Sequence, residues 1–122
     1  MTPEELATVG LRLDVEGAVA TVTLARPEVR NAQTPAMWHA LADIGRSLGD
    51  DVRVVVVEGE GETFSAGLDR SMLDPTNAGP GTVLELLSLG DEEASAGIDG
   101  LQAGFTWLRD PRFVSIAKVR GH

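Results

Sequence analysis

The stretch VVVVEGEGETFSAGLD, residues 54–69, decides how this sequence is interpreted. It starts with four consecutive valines, and the lack of polar alternation indicates a strand covered on both faces, as in a parallel sheet. Ser65, Ala66 and Gly67 follow, and their small size predicts a tight bend where the backbone can approach a ligand closely. A bend that leads into a helix leaves N–H groups without intrahelical partners, and such donors stabilise an oxyanion. The alternative interpretation is an ordinary glycine turn.

A β-hairpin is predicted ahead of the valine run. Residues 11–16 alternate apolar and polar side chains, Gly17 follows, and residues 19–24 (VATVTL) are again typical of a strand. The pair Arg26-Pro27 ends the second strand, because proline has no N–H to donate to a sheet.

A helix is predicted between the hairpin and the valine run. Thr34 suits the N-cap, Pro35 suits the first helical position, and Gly49 is a candidate stop. One face of this helix is apolar and carries Met37, Leu41, Ile44 and Leu48. The order strand, helix, strand predicts a right-handed crossover between the strands at 19–24 and 53–57.

The remaining sequence predicts further helices and one more strand. A short helix is expected at 70–73, a turn-rich and mobile segment at 74–81, a helix at 82–89 and a solvated acidic segment at 90–97. A second helical stripe consists of Ile98, Leu101, Phe105 and Leu108. Residues 113–122 then alternate as a strand that runs into a glycine.

The composition restricts the class of protein. The chain has 122 residues, 43% of them hydrophobic, which suits one globular domain. Its formal net charge of −9 disfavours nucleic acid and anionic membranes as partners. It has no cysteine and two histidines, so we expect no disulfide and no metal site, and His39 is interpreted as a partly exposed helix residue. No signal-peptide pattern or membrane-length apolar run is present, so a cytoplasmic protein is expected.

Nucleotide binding by a glycine-rich loop and acid–base catalysis by carboxylates are both disfavoured by the neighbouring residues. Segment 59–67 lacks the Gly-Lys-Ser/Thr of a Walker A loop, and Phe64 stands where a dinucleotide-binding fingerprint needs a small residue. Asp69 is interpreted as the N-cap of a short helix rather than a direct catalyst. Three glutamates are interpreted as a solvated turn rather than as acid–base residues: Glu58, Glu60 and Glu62.

Two motifs, taken together and in this order, resemble a known family. RPEVRNA (26–32) resembles an R-P-x-x-x-N-A turn, and FSAGLD (64–69) resembles an F-x-A-G-x-D segment. The matching turn residues are Arg26, Pro27, Asn31 and Ala32. With the final strand at 108–122, these motifs resemble the N-terminal half of the enoyl-CoA hydratase/isomerase (crotonase) superfamily. One departure is Val114, which stands where many members have proline.

The resemblance implies an α/β fold with a crotonase-like ββα-type spiral core. Residues 1–122 are then the N-terminal part of that domain, with a variable stretch at 74–97, and the C-terminal half is expected to be absent from this sequence. The family's second oxyanion donor and the acid–base glutamates of its hydratases are expected beyond Gly121.

The resemblance also implies which residues form the site. The expected catalytic residues are Leu68, which supplies one oxyanion-hole N–H through its main chain, and Gly67, which precedes it in the motif. Arg30 is expected to meet a phosphate of coenzyme A or to be solvated. The residues expected to bind the coenzyme A part of the substrate are Glu28, Val29, Arg30, Ser65, Ala66, Gly67, Leu68 and Asp69.

The implied activity is that of an enoyl-CoA hydratase-like lyase of fatty acid metabolism, hydrating a 2-enoyl-CoA, although the chain alone is expected to be inactive. Coenzyme A belongs to the acyl-CoA substrate, and no separate cofactor is expected. Family members imply a homotrimer or hexamer. The sequence leaves other reactions of the superfamily open (isomerase, hydrolase, decarboxylase, dehalogenase), as well as a non-catalytic partner fragment.

Overall fold

Four strands form one sheet in the order in which they occur along the chain. This computed structural model describes residues 1–73, 76 and 89–122. The strands are β1 (Leu11–Glu16), β2 (Val19–Leu24), β3 (Val54–Gly59) and β4 (Val114–Lys118). β1 and β2 pair antiparallel, whereas β2, β3 and β4 are parallel. The predicted hairpin and the parallel pairing of the strands on either side of the helix are therefore confirmed, whereas the right hand of the crossover stays a prediction. The carboxyl ends of β2, β3 and β4 meet at one edge.

Within the described ranges, three α-helices and three 3₁₀ turns have defined bounds. The helices are α1 (Pro3–Thr8), α2 (Pro35–Ser47) and α3 (Asp91–Thr106). The 3₁₀ turns are Pro27–Val29, Arg70–Leu73 and Trp107–Arg109. The short helix predicted at 70–73 is therefore present as a 3₁₀ turn. The predicted stripe lies on α3 from Ile98 to Phe105, whereas its last member, Leu108, belongs to the 3₁₀ turn Trp107–Arg109.

Helix α1 was not predicted, although the sequence carries its signal. The hydroxyl of Thr2 accepts the backbone N–H of Glu5 at 3.1 Å, and the Glu5 carboxylate accepts the N–H of Thr2 at 3.3 Å. Pro3 occupies the first helical position. This reciprocal capping box satisfies two donors that the helix cannot satisfy internally.

Helix α2 begins where the sequence predicts. The Thr34 hydroxyl accepts the N–H of Met37 at 3.2 Å, and Pro35 is the first helical residue. Its apolar face packs on the sheet in one hydrophobic cluster, which includes Ala20, Val22, Val55, Met37, Leu41 and Ile44. Helix α3 packs on α2 at Gly104, where an added Cβ would lie 2.5 Å from the carbonyl oxygen of Trp38.

The second face of the sheet has no cover among the described residues. Val55 is fully buried, but Val54 and Val56, which point to the opposite face, are only partly buried. Their neighbours on that face, Val114 and Ile116, are 62% and 47% exposed. The prediction that β3 is covered on both faces is therefore wrong for the described part. A valine run satisfies strand propensity, and this propensity does not specify what covers each face.

Part of the predicted organisation lies outside the described residues. The mobile segment expected at 74–81 and the helix expected at 82–89 lie outside the described residues, except for positions 76 and 89. The acidic segment 90–97 is mostly exposed, as predicted, but it is helical and forms the first half of α3. Carboxylates in the first turn of a helix are favourable because they face the positive end of the helix dipole. No described helix is both long and apolar enough to cross a bilayer.

Candidate active site

The bend at residues 65–69 is held against the turn that follows β2. The N–H of Ala66 donates to the carbonyl oxygen of Arg30 at 2.8 Å. The hydroxyl of Ser65 donates to the carbonyl oxygen of Asn31, also at 2.8 Å. The two segments leave the sheet from the carboxyl ends of the parallel strands β2 and β3, which places them side by side. Open α/β sheets place ligand sites at this edge.

A buried asparagine joins the two loops below the bend. Asn31 has no exposed surface, and its backbone lies in the left-handed region with φ of 56°. Its side-chain oxygen accepts the N–H of Arg26 at 2.8 Å. Its side-chain nitrogen donates to the carbonyl oxygens of Glu60 and Thr63, at 2.9 and 2.8 Å. Asparagine tolerates this backbone conformation better than most residues and here satisfies three backbone groups.

The orientation of the Leu68 amide follows from one backbone contact. The N–H of Gln33 donates to the carbonyl oxygen of Gly67 at 2.7 Å. A trans peptide puts its C=O and N–H on opposite sides, so the N–H of Leu68, in that same peptide, points away from Gln33. The N–H of Asp69 donates to the carbonyl oxygen of Gln33 at 2.8 Å, so both neighbours of Leu68 are fixed.

The Leu68 amide is available to an external acceptor. Within residues 1–73, 76 and 89–122, its N–H donates no hydrogen bond. The residue itself is 51% exposed. This geometry is what an oxyanion donor requires, although the role of Leu68 remains a prediction.

Side chains connect the bend to helix α2. The indole N–H of Trp38 donates to the Gln33 side-chain oxygen at 2.8 Å, and the Gln33 side-chain nitrogen donates to the Ser65 hydroxyl at 3.0 Å. The same hydroxyl accepts the N–H of Gly67 at 3.1 Å. The Ser65 hydroxyl therefore links the bend to Gln33 and Asn31 through hydrogen bonds.

Asp69 caps the turn that follows the bend. One of its carboxylate oxygens accepts the N–H of Ser71 at 2.9 Å, and the other accepts the Arg26 guanidinium at 3.1 Å. Hydrogen bonds from the Ser71 side chain and backbone, and more weakly the Arg26 contact, hold the pKa of Asp69 below its ordinary value. Asp69 thus has the local geometry of the predicted N-cap.

A cleft of about 400 Å³ lies beside the bend. It brings together six of the eight residues predicted to bind coenzyme A. Its lining consists of Glu28, Val29, Arg30, Ala32, Ala66, Leu68, Asp69 and Arg70. Ser65 and Gly67 belong to the bend but not to the lining. Neither Arg30 nor Arg70 has an ion-pair partner for its guanidinium within the described residues.

A second cavity, of about 300 Å³, lies between the sheet and helices α2 and α3. Its walls are mostly apolar and include Leu41, Val57, Phe64, Phe105, Trp107 and Ile116. The Gln33 side chain contacts this cavity as well as the bend.

The remaining titratable candidates lie elsewhere. His39 is exposed on α2. Glu58 pairs with Lys118 at 3.6 Å, Glu60 pairs with Arg12 at 3.6 Å, and Glu62 is exposed. In the described ranges no group of three potential metal ligands is present.

Sequence reasoning missed the roles of three residues. Arg26 was noted only as a motif residue, although its guanidinium reaches both Ala32 and Asp69. Arg70 was treated only as the start of a helix, although a cation directly after the bend was a usable signal. No local pattern marks the contacts that join Gln33 to the bend, because Ser65 and Gly67 lie more than 30 residues away along the chain.

Comparisons with known proteins agree on one family. The sequence model described as Enoyl-CoA hydratase/isomerase matches residues 14–122. A hydroxycinnamoyl-CoA hydratase-lyase from Pseudomonas fluorescens is 34% identical over 73 residues, which are 57% of this chain and 26% of that protein. The mouse mitochondrial Delta(3,5)-Delta(2,4)-dienoyl-CoA isomerase is 42% identical over 53 residues, 42% of this chain and 16% of the isomerase.

A solved structure matches almost the whole chain. It is a protein from Thermobifida fusca YX, provisionally assigned as an enoyl-CoA hydratase and solved in complex with acetoacetyl-CoA. The two are 47% identical with a TM-score of 0.88, over 99% of this chain and 47% of that one. The present chain thus spans about half the length of this structure, and its alignments cover about a quarter or less of the curated relatives named above. Because the family model matches most of the sequence, the chain belongs to the enoyl-CoA hydratase/isomerase family.

Proposed function

We propose that this chain is the N-terminal part of an enzyme that acts on an acyl-CoA thioester. The thioester carbonyl would accept a hydrogen bond from the Leu68 N–H. The observation that carries the proposal is the peptide between Gly67 and Leu68: its oxygen is bonded to Gln33, while its N–H has no acceptor among the described residues. A fixed donor of this kind stabilises negative charge without reorganising during the reaction.

The cleft suits the anionic coenzyme A part of such a substrate. The whole chain has a net charge of −9, so a phosphate-bearing ligand needs local positive charge to approach it. Arg30 and Arg70 place two positive charges on the cleft lining. The lining also carries the carboxylates of Glu28 and Asp69, and Asp69 is paired with Arg26. The small side chains of Ala32 and Ala66 leave the backbone accessible between them.

The reaction we propose is hydration of a 2-enoyl-CoA. Water adds at C3 and a proton is delivered to C2, so the transition state carries enolate charge on the thioester oxygen. The Leu68 N–H would stabilise that charge, and a second donor and the proton-transferring groups would come from the remainder of the parent protein. Isomerisation is the second candidate, favoured by the similarity to a dienoyl-CoA isomerase. It uses the same enolate-stabilising donor.

The test is turnover of crotonyl-CoA by the full-length parent protein. Turnover is monitored as the loss of absorbance of the conjugated thioester. Leu68→Ala keeps the main-chain N–H and should change kcat by less than about threefold. Leu68→Pro removes that N–H and should lower kcat by ~10²-fold or more, as the loss of an oxyanion donor does elsewhere.

Circular dichroism and thermal melting would establish that both variants fold. A parent protein that turns over no acyl-CoA and binds no coenzyme A in a calorimetric titration would remove the proposal. Turnover in Leu68→Pro equal to that of the wild type would remove the role of the amide.

A further inference from the structure

We infer that Arg26 is a positioning residue that orients and polarises the Leu68 amide through two hydrogen bonds in series, with the Ala32–Gln33 peptide between them. The inference rests on the proposed function and adds to it a residue that does not line the cleft. The path runs from the guanidinium to the Ala32–Gln33 peptide, then to the Gly67–Leu68 peptide.

The first link is a short hydrogen bond from a cation. Nη1 of Arg26 donates to the carbonyl oxygen of Ala32 at 2.7 Å. The other partner of the guanidinium, the Asp69 carboxylate, lies farther away at 3.1 Å. Hydrogen bonds from a charged donor are shorter and stronger than neutral ones. The positive charge therefore withdraws electron density from the Ala32–Gln33 peptide.

The second link is the backbone bridge between the two loops. The peptide whose oxygen Arg26 binds also contains the N–H of Gln33, and that N–H donates to the carbonyl oxygen of Gly67 at 2.7 Å. That oxygen belongs to the same peptide as the N–H of Leu68. Hydrogen bonds in series polarise one another, so the cation strengthens each donor along the chain, including the last.

Arg26 is itself fixed before any ligand arrives. Its backbone N–H donates to the Asn31 side chain at 2.8 Å. An added Cβ on Gly10 would lie 2.3 Å from Cγ and 2.5 Å from Cδ of Arg26, so only glycine leaves room for the arginine stem. The side chain is 23% exposed, compared with 51% for Arg12 on the outer face of β1. A preorganised, partly buried cation acts at lower effective dielectric than an exposed one.

The alternative is that Arg26 only stabilises the fold through its ion pair with Asp69. The two roles differ in what they change. A purely structural arginine affects the melting temperature and the fraction of active protein. A polarising arginine also affects how strongly each folded site favours an enolate.

The experiment uses the full-length parent protein with acetoacetyl-CoA as the probe. This β-keto thioester loses a proton between its two carbonyl groups, and its enolate absorbs in the near ultraviolet. A pH titration of the bound probe therefore measures how strongly the site favours the enolate. The same preparations are assayed for kcat and KM with crotonyl-CoA. The variants are Arg26→Met and Arg26→Gln, which remove the charge, Arg26→Lys, which restores a cation, and Arg12→Met as the matched control.

We expect the neutral variants to raise the apparent pKa of the bound probe by about 1 unit, a tenfold loss of enolate preference. The value of kcat should fall by roughly the same factor, and KM should change by less than about threefold. Arg26→Lys should recover part of both losses, and Arg12→Met should match the wild type.

Of the two neutral variants, the one that folds decides the outcome. If the apparent pKa of the probe bound to it equals the wild-type value, the inference is overturned, even if its melting temperature is lower. A wild-type protein that neither binds the probe nor turns over crotonyl-CoA is a different outcome, because it removes the proposed function on which the inference depends. The two failures are thus separated by the wild-type measurement.

Discussion

The side-chain nitrogen of Asn31 lies 2.8 Å from the carbonyl oxygen of Thr63, and this buried hydrogen bond joins the turn after β2 to the loop after β3. A second bond from the same nitrogen reaches the carbonyl oxygen of Glu60. Both loops that form the candidate site are therefore positioned by one amide group that never contacts the cleft.

Asn31→Asp should destabilise the protein by about 3 kcal/mol or more, because it replaces two donated hydrogen bonds by a buried carboxylate facing two carbonyl oxygens. The measurement is the free energy of unfolding in urea. Gln102→Glu, an exposed amide-to-acid change on α3, is the matched control and should stay within about 0.5 kcal/mol of the wild type. Equal effects of the two substitutions would contradict the structural role of Asn31.

Gly67→Ala should reduce activity through the backbone rather than through crowding. Gly67 has φ of 88°, and an added Cβ would meet no atom within 4 Å. Gly17, in the distant hairpin turn, has φ of 61° and equally open surroundings, which makes it a matched control. Each alanine should cost about 1–2 kcal/mol of unfolding free energy. Only Gly67→Ala should also lower kcat of the parent protein, by ~10-fold or more, because it tilts the peptide that presents the Leu68 N–H. A normal kcat in Gly67→Ala would argue against that peptide as the catalytic donor.

Two glycines of α3 should respond to alanine in opposite directions. At Gly104 a Cβ would lie 2.5 Å from the carbonyl oxygen of Trp38 and 3.0 Å from its Cα, so α3 must move away from α2. The expected loss of stability for Gly104→Ala is about 1–3 kcal/mol. A Cβ at Gly100 meets nothing within 4 Å, so Gly100→Ala should stabilise the helix by about 0.5–1 kcal/mol. Thermal melting of the two variants tests the close packing of the helices, and a neutral Gly104→Ala would be inconsistent with it.

The stability contributed by Asp69 should depend on pH. In the folded protein, hydrogen bonds from Ser71, and more weakly from Arg26, lower the pKa of Asp69 below its ordinary value of 3.8. A carboxyl group whose pKa is lowered on folding contributes stability above its unfolded pKa and loses it as the pH falls through the folded value. Asp69→Asn should therefore be less stable than the wild type at pH 7, with the difference shrinking below about pH 4. Urea unfolding at several pH values measures it, with Asp14→Asn on the exposed sheet face as the control. A difference that is constant with pH would show that the charge of Asp69 contributes nothing.

Arg30→Gln and Arg70→Gln should weaken substrate binding without affecting the chemical step. If these side chains meet phosphate groups, each loss should cost about 1 kcal/mol, roughly a fivefold increase in KM, with kcat unchanged. The effect should diminish as salt is added, because exposed charges are screened. Arg46→Gln, an exposed arginine of α2 that pairs with Asp43, is the control. An unchanged KM in both cleft variants at low salt would exclude a phosphate contact there.

Local elements were largely predictable from the residues. The alternation at 11–16, the turn at Gly17 and the Thr34-Pro35 cap each depend on neighbours in sequence, and the structure confirms the hairpin and the start of α2. Helix α1 is equally predictable, because its capping box is formed by residues three positions apart. The predicted cover on both faces of β3 does not hold within the described part of the chain, because a valine run reports strand propensity and not what packs on each face.

The candidate site was only half predictable. The small residues 65–67 and the cation at position 30 could be chosen from the motifs, and the structure places Ala66, Leu68 and Arg30 on one cleft. The contribution of Gln33 could not be inferred, since it donates a backbone N–H that every residue except proline carries.

By itself, the sequence determined the hairpin, the capped helix α2 and a bend small enough to expose its backbone, because turn chemistry and periodicity act over a few neighbouring residues. Only the tertiary structure decided which way that bend faces. The parallel pairing of β2 with β3 brings Gln33 against residues 67–69. It also links the Arg26 charge to the peptide of the Leu68 amide through two hydrogen bonds. Contacts between groups more than 30 residues apart leave no local pattern, because they arise from the packing of whole strands.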